Sequence, residues 1–354
     1  MPEIEVQEVA KSYGRRAALC GLSFRVRSSE FFCLLAPPGS GKTTMLRLIA
    51  GLERPDRGGV FIDGHPLHSL PPEDRGIAMV FEDLALYPHM SGFNNIAYPL
   101  HRRRLPVDVI RRRVTEVADV VGVRHVLERL PHTFSGGEQQ RVAIARAIVR
   151  EPKILLLDQP LSSLDAKVRE TMRGELRHLQ QRTQQTTIYA TADYEEALAL
   201  ADRILVLREG SSEQIGTPEE VYHSPATTFA AAITGSPPMN LIQCVVQNGV
   251  AVAGELAIDV TGIEGKGVVG VRPEQLRFGA GPEGVVELVQ PLGRKKIVDV
   301  VLGGVRIKVV TGTEFTASRG TAVSVAMDPA SARIYDAEGH LTHARAAGTW
   351  RLLR

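Results

Sequence analysis

The residues with the clearest chemistry lie at Ala36-Pro37-Pro38-Gly39-Ser40-Gly41-Lys42-Thr43-Thr44. A turn of the form G-x-x-x-x-G-K-[S/T], set between a strand and a helix, offers backbone N–H groups to phosphates. Its lysine reaches the β- and γ-phosphates, and its hydroxyl coordinates Mg²⁺. Gly39, Gly41, Lys42 and Thr43 occupy their places, but the first glycine is Ala36, and Pro38 removes one backbone donor. Two further segments carry matching chemistry. Ser135-Gly136-Gly137-Glu138 reads as a helix start, where free N–H groups and the helix dipole can hold a phosphate. Leu155-Leu156-Leu157-Asp158 reads as a buried strand that ends in a carboxylate. Together the three segments point to a bound nucleotide.

The elements that must position these residues follow from periodicity. Short strands are expected at 4–6, 24–26 and 31–35, and a helix at 43–50, stopped by Gly51. Strands at 152–158, 186–191 and 204–207, with a helix at 193–200, predict a mostly parallel α/β sheet. A largely helical stretch at about 94–150 reads as an inserted subdomain. The texture changes after Gly235-Ser236-Pro237-Pro238. From about 241 to 335, short Val/Ile-rich strands alternate with glycines, as at 244–246, 268–271, 297–302 and 305–310, which predicts a separate all-β, barrel-like domain. The expected division is therefore 1–235 and 236–354, in keeping with roughly 150 residues per domain.

Composition narrows the function classes. No apolar run reaches 18 residues, so no membrane-spanning helix is expected, and the acidic start Met1-Pro2-Glu3-Ile4-Glu5 does not read as a secretion signal. Cys20, Cys33 and Cys244 are too scattered for a disulfide framework, and the ten histidines show no ligand spacing. Net charge is +2, and residues 236–354 contain only Phe278, Phe315, Tyr335 and Trp350 as aromatics. Both facts argue against nucleic acid as a partner. Arg102-Arg103-Arg104 and Arg111-Arg112-Arg113 read as solvated helix faces, with contact to a partner protein or anionic lipid as the alternative.

With its motifs in this order, the chain resembles the ATP-binding subunits of ABC transporters, closest to those of carbohydrate importers such as the maltose type. The carrying residues are the glycine loop, Phe81-Glu82-Asp83 with Leu86-Tyr87-Pro88, the signature Ser135-Gly136-Gly137-Glu138-Gln139-Gln140-Arg141, Asp158, Ser163-Leu164-Asp165, and Ala190-Thr191-Ala192-Asp193. The resemblance implies a P-loop NTPase fold with a helical subdomain and a C-terminal OB-like regulatory domain. It also implies ATP and Mg²⁺ as ligands. Tyr13 would stack on adenine. Gly39, Ser40, Gly41, Lys42, Thr43 and Thr44 would hold the phosphates, with Thr43, Asp158 and Glu82 at the metal. Ser135, Gly136, Gly137 and Glu138 would face the γ-phosphate of a second subunit in a head-to-tail pair. The segment Glu82 to Met90 would touch membrane permease subunits. An extracytoplasmic solute-binding protein would act indirectly, and the site of action would be the cytoplasmic face of the membrane.

Three departures from the family fall on hydrolysis itself. The usual Glu after the strand-end Asp is Gln159, the usual His of the Thr-His-Asp step is Ala192, and the usual Gln of the Mg²⁺-sensing loop is Glu82. An amide cannot accept a proton as a carboxylate does, and loss of a general base typically costs ~10²–10⁴-fold in rate. The expectation is a site that binds ATP and hydrolyses it weakly, paired with a competent ATPase subunit. A slow symmetric homodimer and a non-hydrolysing regulatory module are the alternatives.

Overall fold

The first strand, β1 (Ile4–Tyr13), turns straight back as β2 (Arg16–Val26). Sequence periodicity shows only fragments of this hairpin, because register shifts after Val6, Val9 and Lys11 break the period-two alternation. The chain then enters β3 (Phe31–Leu35), passes through the glycine loop into α1 (Lys42–Ala50), and returns as β4 (Arg57–Ile62) and β5 (His65–Pro66). Strands β2-β1-β4-β5 make one antiparallel sheet. The computed structural model describes residues 1–67, 70–71 and 74–353.

β6 (Ile77–Val80) leads into the helical part: α2 (Gly92–Arg102), α3 (Val107–Val120) and α4 (Gly136–Ile148), with short 3₁₀ turns between α3 and α4. The chain returns through β7 (Ile154–Asp158), α5 (Ala166–Thr183), β8 (Thr186–Thr191), α6 (Tyr194–Leu200), β9 (Arg203–Arg208) and β10 (Ser211–Gly216). The second sheet runs β10-β9-β3-β8-β7-β6, and every pairing except β9 with β10 is parallel. β3, β7 and β8 are buried at every residue. Strands covered on both faces read as continuous apolar runs, which is why the sequence places them well. Met45, Leu46, Leu48 and Ile49 of α1 share one core with Ile4, Val6 and Leu22 of the first sheet and with Leu34, Leu156, Ile188 and Leu205 of the second. That core anchors α1, and with it the residues that open the helix.

The chain divides into two compact units, Met1–Pro218 and Glu219–Arg354. The sequence reading put this division at 235/236. The correction has a physical cause in α7 (Pro218–His223) and α8 (Thr228–Ile233). Buried Arg272 donates to Tyr222 O, Ala231 O and the Thr234 hydroxyl at 2.7, 3.2 and 3.0 Å, and its guanidinium lies 4.2 Å from the Tyr222 ring centroid. Thr228 N donates to Gly339 O, and Leu341 N to Ala226 O. These contacts tie the two short helices to the β-rich unit, so the Gly235–Pro238 step is a turn inside that unit.

The second unit is otherwise all-β. It continues with β11 (Asn240–Gln247), β12 (Val250–Ala253), β13 (Leu256–Thr261), β14 (Gly265–Val271) and β15 (Leu276–Leu292). It closes with β16 (Lys295–Leu302), β17 (Val305–Gly312), β18 (Ala322–Met327), β19 (Arg333–Tyr335), β20 (Arg345–Ala346) and β21 (Arg351–Leu352). One sheet has the order β19-β14-β11-β12-β13-β20, with β21 also on β13, and the other β17-β16-β15-β18. Both sheets contribute to one core that includes Val246, Ile258, Val271, Val300, Val309 and Trp350.

Candidate functional site

The glycine loop lies at the carboxyl end of β3, next to the ends of β8 and β9, where open α/β sheets bind ligands. Its last turn demands glycine. Gly41 has φ +99°, and a Cβ there would sit 2.3 Å from Ala18 O and 2.9 Å from Leu19 Cδ2. The loop is also tied back to the sheet, since Ala36 N donates to Thr191 O and Gly210 N donates to Ser40 O, both at 3.2 Å. Such close packing of backbone on backbone leaves little freedom to the N-terminus of α1.

Lys42 is buried, and its ammonium donates to Ala36 O at 2.6 Å and Pro37 O at 3.0 Å. Burial pushes its pKa down, while the neighbouring Asp158 carboxylate pulls the other way. Asp158 is buried at the end of β7, and burial pushes its carboxyl up, opposed by a hydrogen bond from the Thr43 hydroxyl. Its Oδ1 has no hydrogen-bond partner among the described residues. A buried carboxylate oxygen without a donor is costly. A hydrated Mg²⁺ shared with the Thr43 hydroxyl would satisfy it, so this residue set fits the metal that accompanies a nucleotide. No other group of histidine, cysteine or acidic side chains suited to a metal occurs among the described residues.

Beside this cluster lie Gln159, Glu82 and Ala192, the positions at which the sequence departs from the pattern it resembles. Gln159 follows Asp158 at φ +46°, an unusual conformation for a non-glycine residue. It is held there by its N–H on Ala190 O at 2.9 Å and by the Ser162 N–H and hydroxyl on its own carbonyl. Its side-chain Nε2 donates to Glu82 Oε2 at 3.1 Å. Glu82 sits in the loop after β6, where Leu84 and Ala85 have φ of +57° and +43°. Arg146, from the far end of α4, donates to Leu84 O at 2.8 Å and Ala85 O at 2.7 Å and lies over the Tyr87 ring. One arginine thus clamps a strained loop. Ala192 is exposed just beyond β8 and presents only a methyl group.

A cleft of about 540 Å³ is lined by Tyr13, Lys42, Thr43, Thr44, Glu82 and Gln159, along with Gly39 and Gly41. Ser40 is buried beneath the loop, and Tyr13 is exposed beside the hairpin turn. Sequence reading missed Arg16, which also lines the cleft and donates from Nη2 to Gly39 O at 2.9 Å. No motif flags this contact, because it depends on the β1–β2 turn meeting the loop in space.

Ser135, Gly136, Gly137 and Glu138 do not line this cleft. They open α4 as a complete capping box. The Ser135 hydroxyl accepts from Glu138 N, and the Glu138 carboxylate accepts from Ser135 N at 2.7 Å and contacts His125 Nε2 at 2.8 Å. The backbone hydrogen bond from Ser135 is the main reason that the Glu138 carboxyl is held down at about 2. Glu138, expected among the residues that face a second subunit's nucleotide, uses its carboxylate to build the helix start. Gly137 lies hard against α5, since a Cβ there would fall 2.9 Å from Val168 Cγ1.

A sequence model of the ABC transporter family matches residues 19–162. The chain is 41% identical to the trehalose/maltose import ATP-binding protein MalK of Thermococcus litoralis, over 95% of this chain and 98% of that protein. It is also 41% identical to the sn-glycerol-3-phosphate import ATP-binding protein UgpC 2 of Agrobacterium fabrum, over 98% of each. Among solved structures, the dimeric post-hydrolysis state of the ATP-binding cassette MJ0796, bound to ADP and Pi, covers 61% of this chain and 98% of its own. The TM-score is 0.56 at 30% identity.

Proposed function

As the chain belongs to the ATP-binding subunits of ABC transporters, of the sugar and glycerol-phosphate importer type, we propose that it couples ATP binding and hydrolysis to uptake of a sugar, polyol or glycerol phosphate. The observation that carries this reading is the Lys42–Thr43–Asp158 cluster beneath the glycine loop. It combines a buried ammonium, a hydroxyl and an orphaned carboxylate oxygen, which is what MgATP requires. Lys42 and the loop amides hold the phosphates, Thr43 and Asp158 hold hydrated Mg²⁺, and Tyr13 supports the base. Mg²⁺, when bound, neutralises charge that builds on the phosphates.

Hydrolysis in this chain's own cleft is slow. Gln159 cannot take a proton, and the Ala192 methyl cannot bond the γ-phosphate. The Ser135-Gly136-Gly137 helix start is intact and serves the cleft of a second, competent ATPase subunit in a head-to-tail pair. Membrane permease subunits meet the chain along the groove of about 590 Å³ lined by Tyr87, Tyr98, Pro99, Arg102, Arg146 and Arg150. The chain thus works at the cytoplasmic face of the membrane, and a solute-binding protein delivers the solute to the permease on the other side. Two measurements test this reading. Calorimetry should register MgATP binding that Lys42→Ala weakens about 100-fold, and affinity purification from its native membrane should bring down permease subunits. Absence of MgATP binding at millimolar nucleotide would contradict the nucleotide reading, and recovery of the chain without permeases would contradict the transport reading.

A further inference from the structure

We propose that Glu82 takes the proton of the attacking water in this chain's own cleft, and that Gln159 positions it. The inference rests on reading the cleft as an MgATP site and names the group that carries its residual turnover.

Attack of water on the γ-phosphorus needs a proton acceptor within hydrogen-bond reach. Only one carboxylate lines the cleft among the described residues, and it belongs to Glu82, which the family resemblance put at the metal and which we assign instead to the attacking water. Asp158 is 2% exposed, beneath Thr43, and its free oxygen belongs with the metal. The Gln159 amide does not point its donor into empty space: Nε2 is engaged on Glu82 Oε2 at 3.1 Å. Glu82 Oε1 has no hydrogen-bond partner among the described residues, so one oxygen is held and the other is available to a water. Both residues stand on fixed backbone. Gln159 is pinned in its left-handed conformation by Ala190 and Ser162, and the Glu82 loop is clamped by Arg146. A carboxylate oriented by the neighbouring amide supplies the base that the residue after Asp158 cannot.

In the step, the water oxygen forms a bond to the γ-phosphorus while the bond from phosphorus to the bridging oxygen breaks. ADP leaves with that electron pair. The water proton passes to Glu82 Oε1 and later returns to solvent, so the carboxylate is regenerated.

The test uses the purified full chain, MgATP and two variants. Glu82→Gln should lower turnover at least ~10-fold, the low end of a general-base effect reduced by the already slow site. Its MgATP dissociation constant and its Mg²⁺ titration midpoint should stay within about threefold of wild type, since a general base acts on the rate rather than on binding. Glu82→Gln/Gln159→Glu moves the carboxylate to the other end of the same hydrogen bond and should restore turnover to the wild-type level or above. Unchanged turnover in Glu82→Gln, a loss explained by weaker Mg²⁺ binding, or a double variant as slow as Glu82→Gln would each overturn the proposal. Failure of the wild-type chain to bind MgATP would overturn the reading of the cleft as well.

Discussion

On one wall of the cleft Lys42 and Asp158 are buried and Thr43 is bonded to the Asp158 carboxyl. On the other, Glu82 is exposed and joined to Gln159 by a single 3.1 Å bond, and Ala192 offers a methyl group. The first group stands at the start of α1 and the end of β7, two elements whose apolar residues Met45, Leu46 and Leu156 belong to the core that joins both sheets. The second lies on loops and strand ends, where a side chain can change with little cost to the fold. On the proposed reading, the contrast explains how the ATP-holding residues stay whole while the residues that would perform hydrolysis differ from the family pattern.

The largest effect that would sharpen this comparison is at neither wall. Gly137→Asp should reduce ATPase of a complex with a competent partner by ~10²–10³-fold or more, because an oriented donor to the γ-phosphate is lost and a negative charge is added. Crowding against Val168 makes it necessary to show, by circular dichroism and MgATP binding, that the variant folds. Next in size, Lys42→Ala should weaken MgATP binding about 100-fold in calorimetry, the upper range for a charged hydrogen-bonding group. An equal loss from Glu82→Gln would erase the distinction between the walls.

Smaller effects probe the reaction wall. Adding Ala192→His to Glu82→Gln/Gln159→Glu should raise turnover of the self-paired chain a further ~10-fold by supplying a polar contact to the γ-phosphate. Gln159→Ala should slow the chain alone only by about 3–10-fold, as expected for a group that orients a base rather than acting as one. In a mixed complex it should scarcely register in steady-state rate.

The smallest effect is structural. The Glu138 carboxyl is held at about 2 when folded against an ordinary 4.5. A depressed folded pKa contributes stability above pH 4.5 that is lost as pH falls toward 2. Glu138→Gln should therefore lower the melting temperature by roughly 2–4 °C at pH 7, with the gap to wild type closing toward pH 2. A gap that persists at pH 2 would mean the charge is not what stabilises the helix start.

Much of the first wall was legible in sequence. β3 is an unbroken apolar run and β7 an apolar run that ends in Asp158, and these flanking elements, with the spacing of Gly39, Gly41, Lys42 and Thr43, mark the loop. The second wall was legible only as residue types. That Gln159 touches Glu82, 77 positions away, follows from β6 lying beside β7, which no local pattern states. Arg16 escaped notice for the same reason. In the β-rich unit, β15 is absent from the strands picked out in sequence, since the Gly279-Ala280-Gly281-Pro282 stretch interrupts it, with a register shift between Phe278 and Glu283. The unit boundary was misread because Arg272, far along the chain, holds the segment before Gly235.

The central claim is that this cleft holds MgATP well and turns it over poorly. It is tested most directly by measuring the MgATP dissociation constant and the steady-state turnover on one preparation of the purified chain. ABC-type sites with a full catalytic set would be expected near the ~10 s⁻¹ typical of enzymes. The account predicts saturable binding below millimolar nucleotide together with turnover under ~0.1 s⁻¹, as a base displaced from the position after Asp158 and a missing polar contact at Ala192 imply. Binding accompanied by turnover near ~10 s⁻¹ would contradict it.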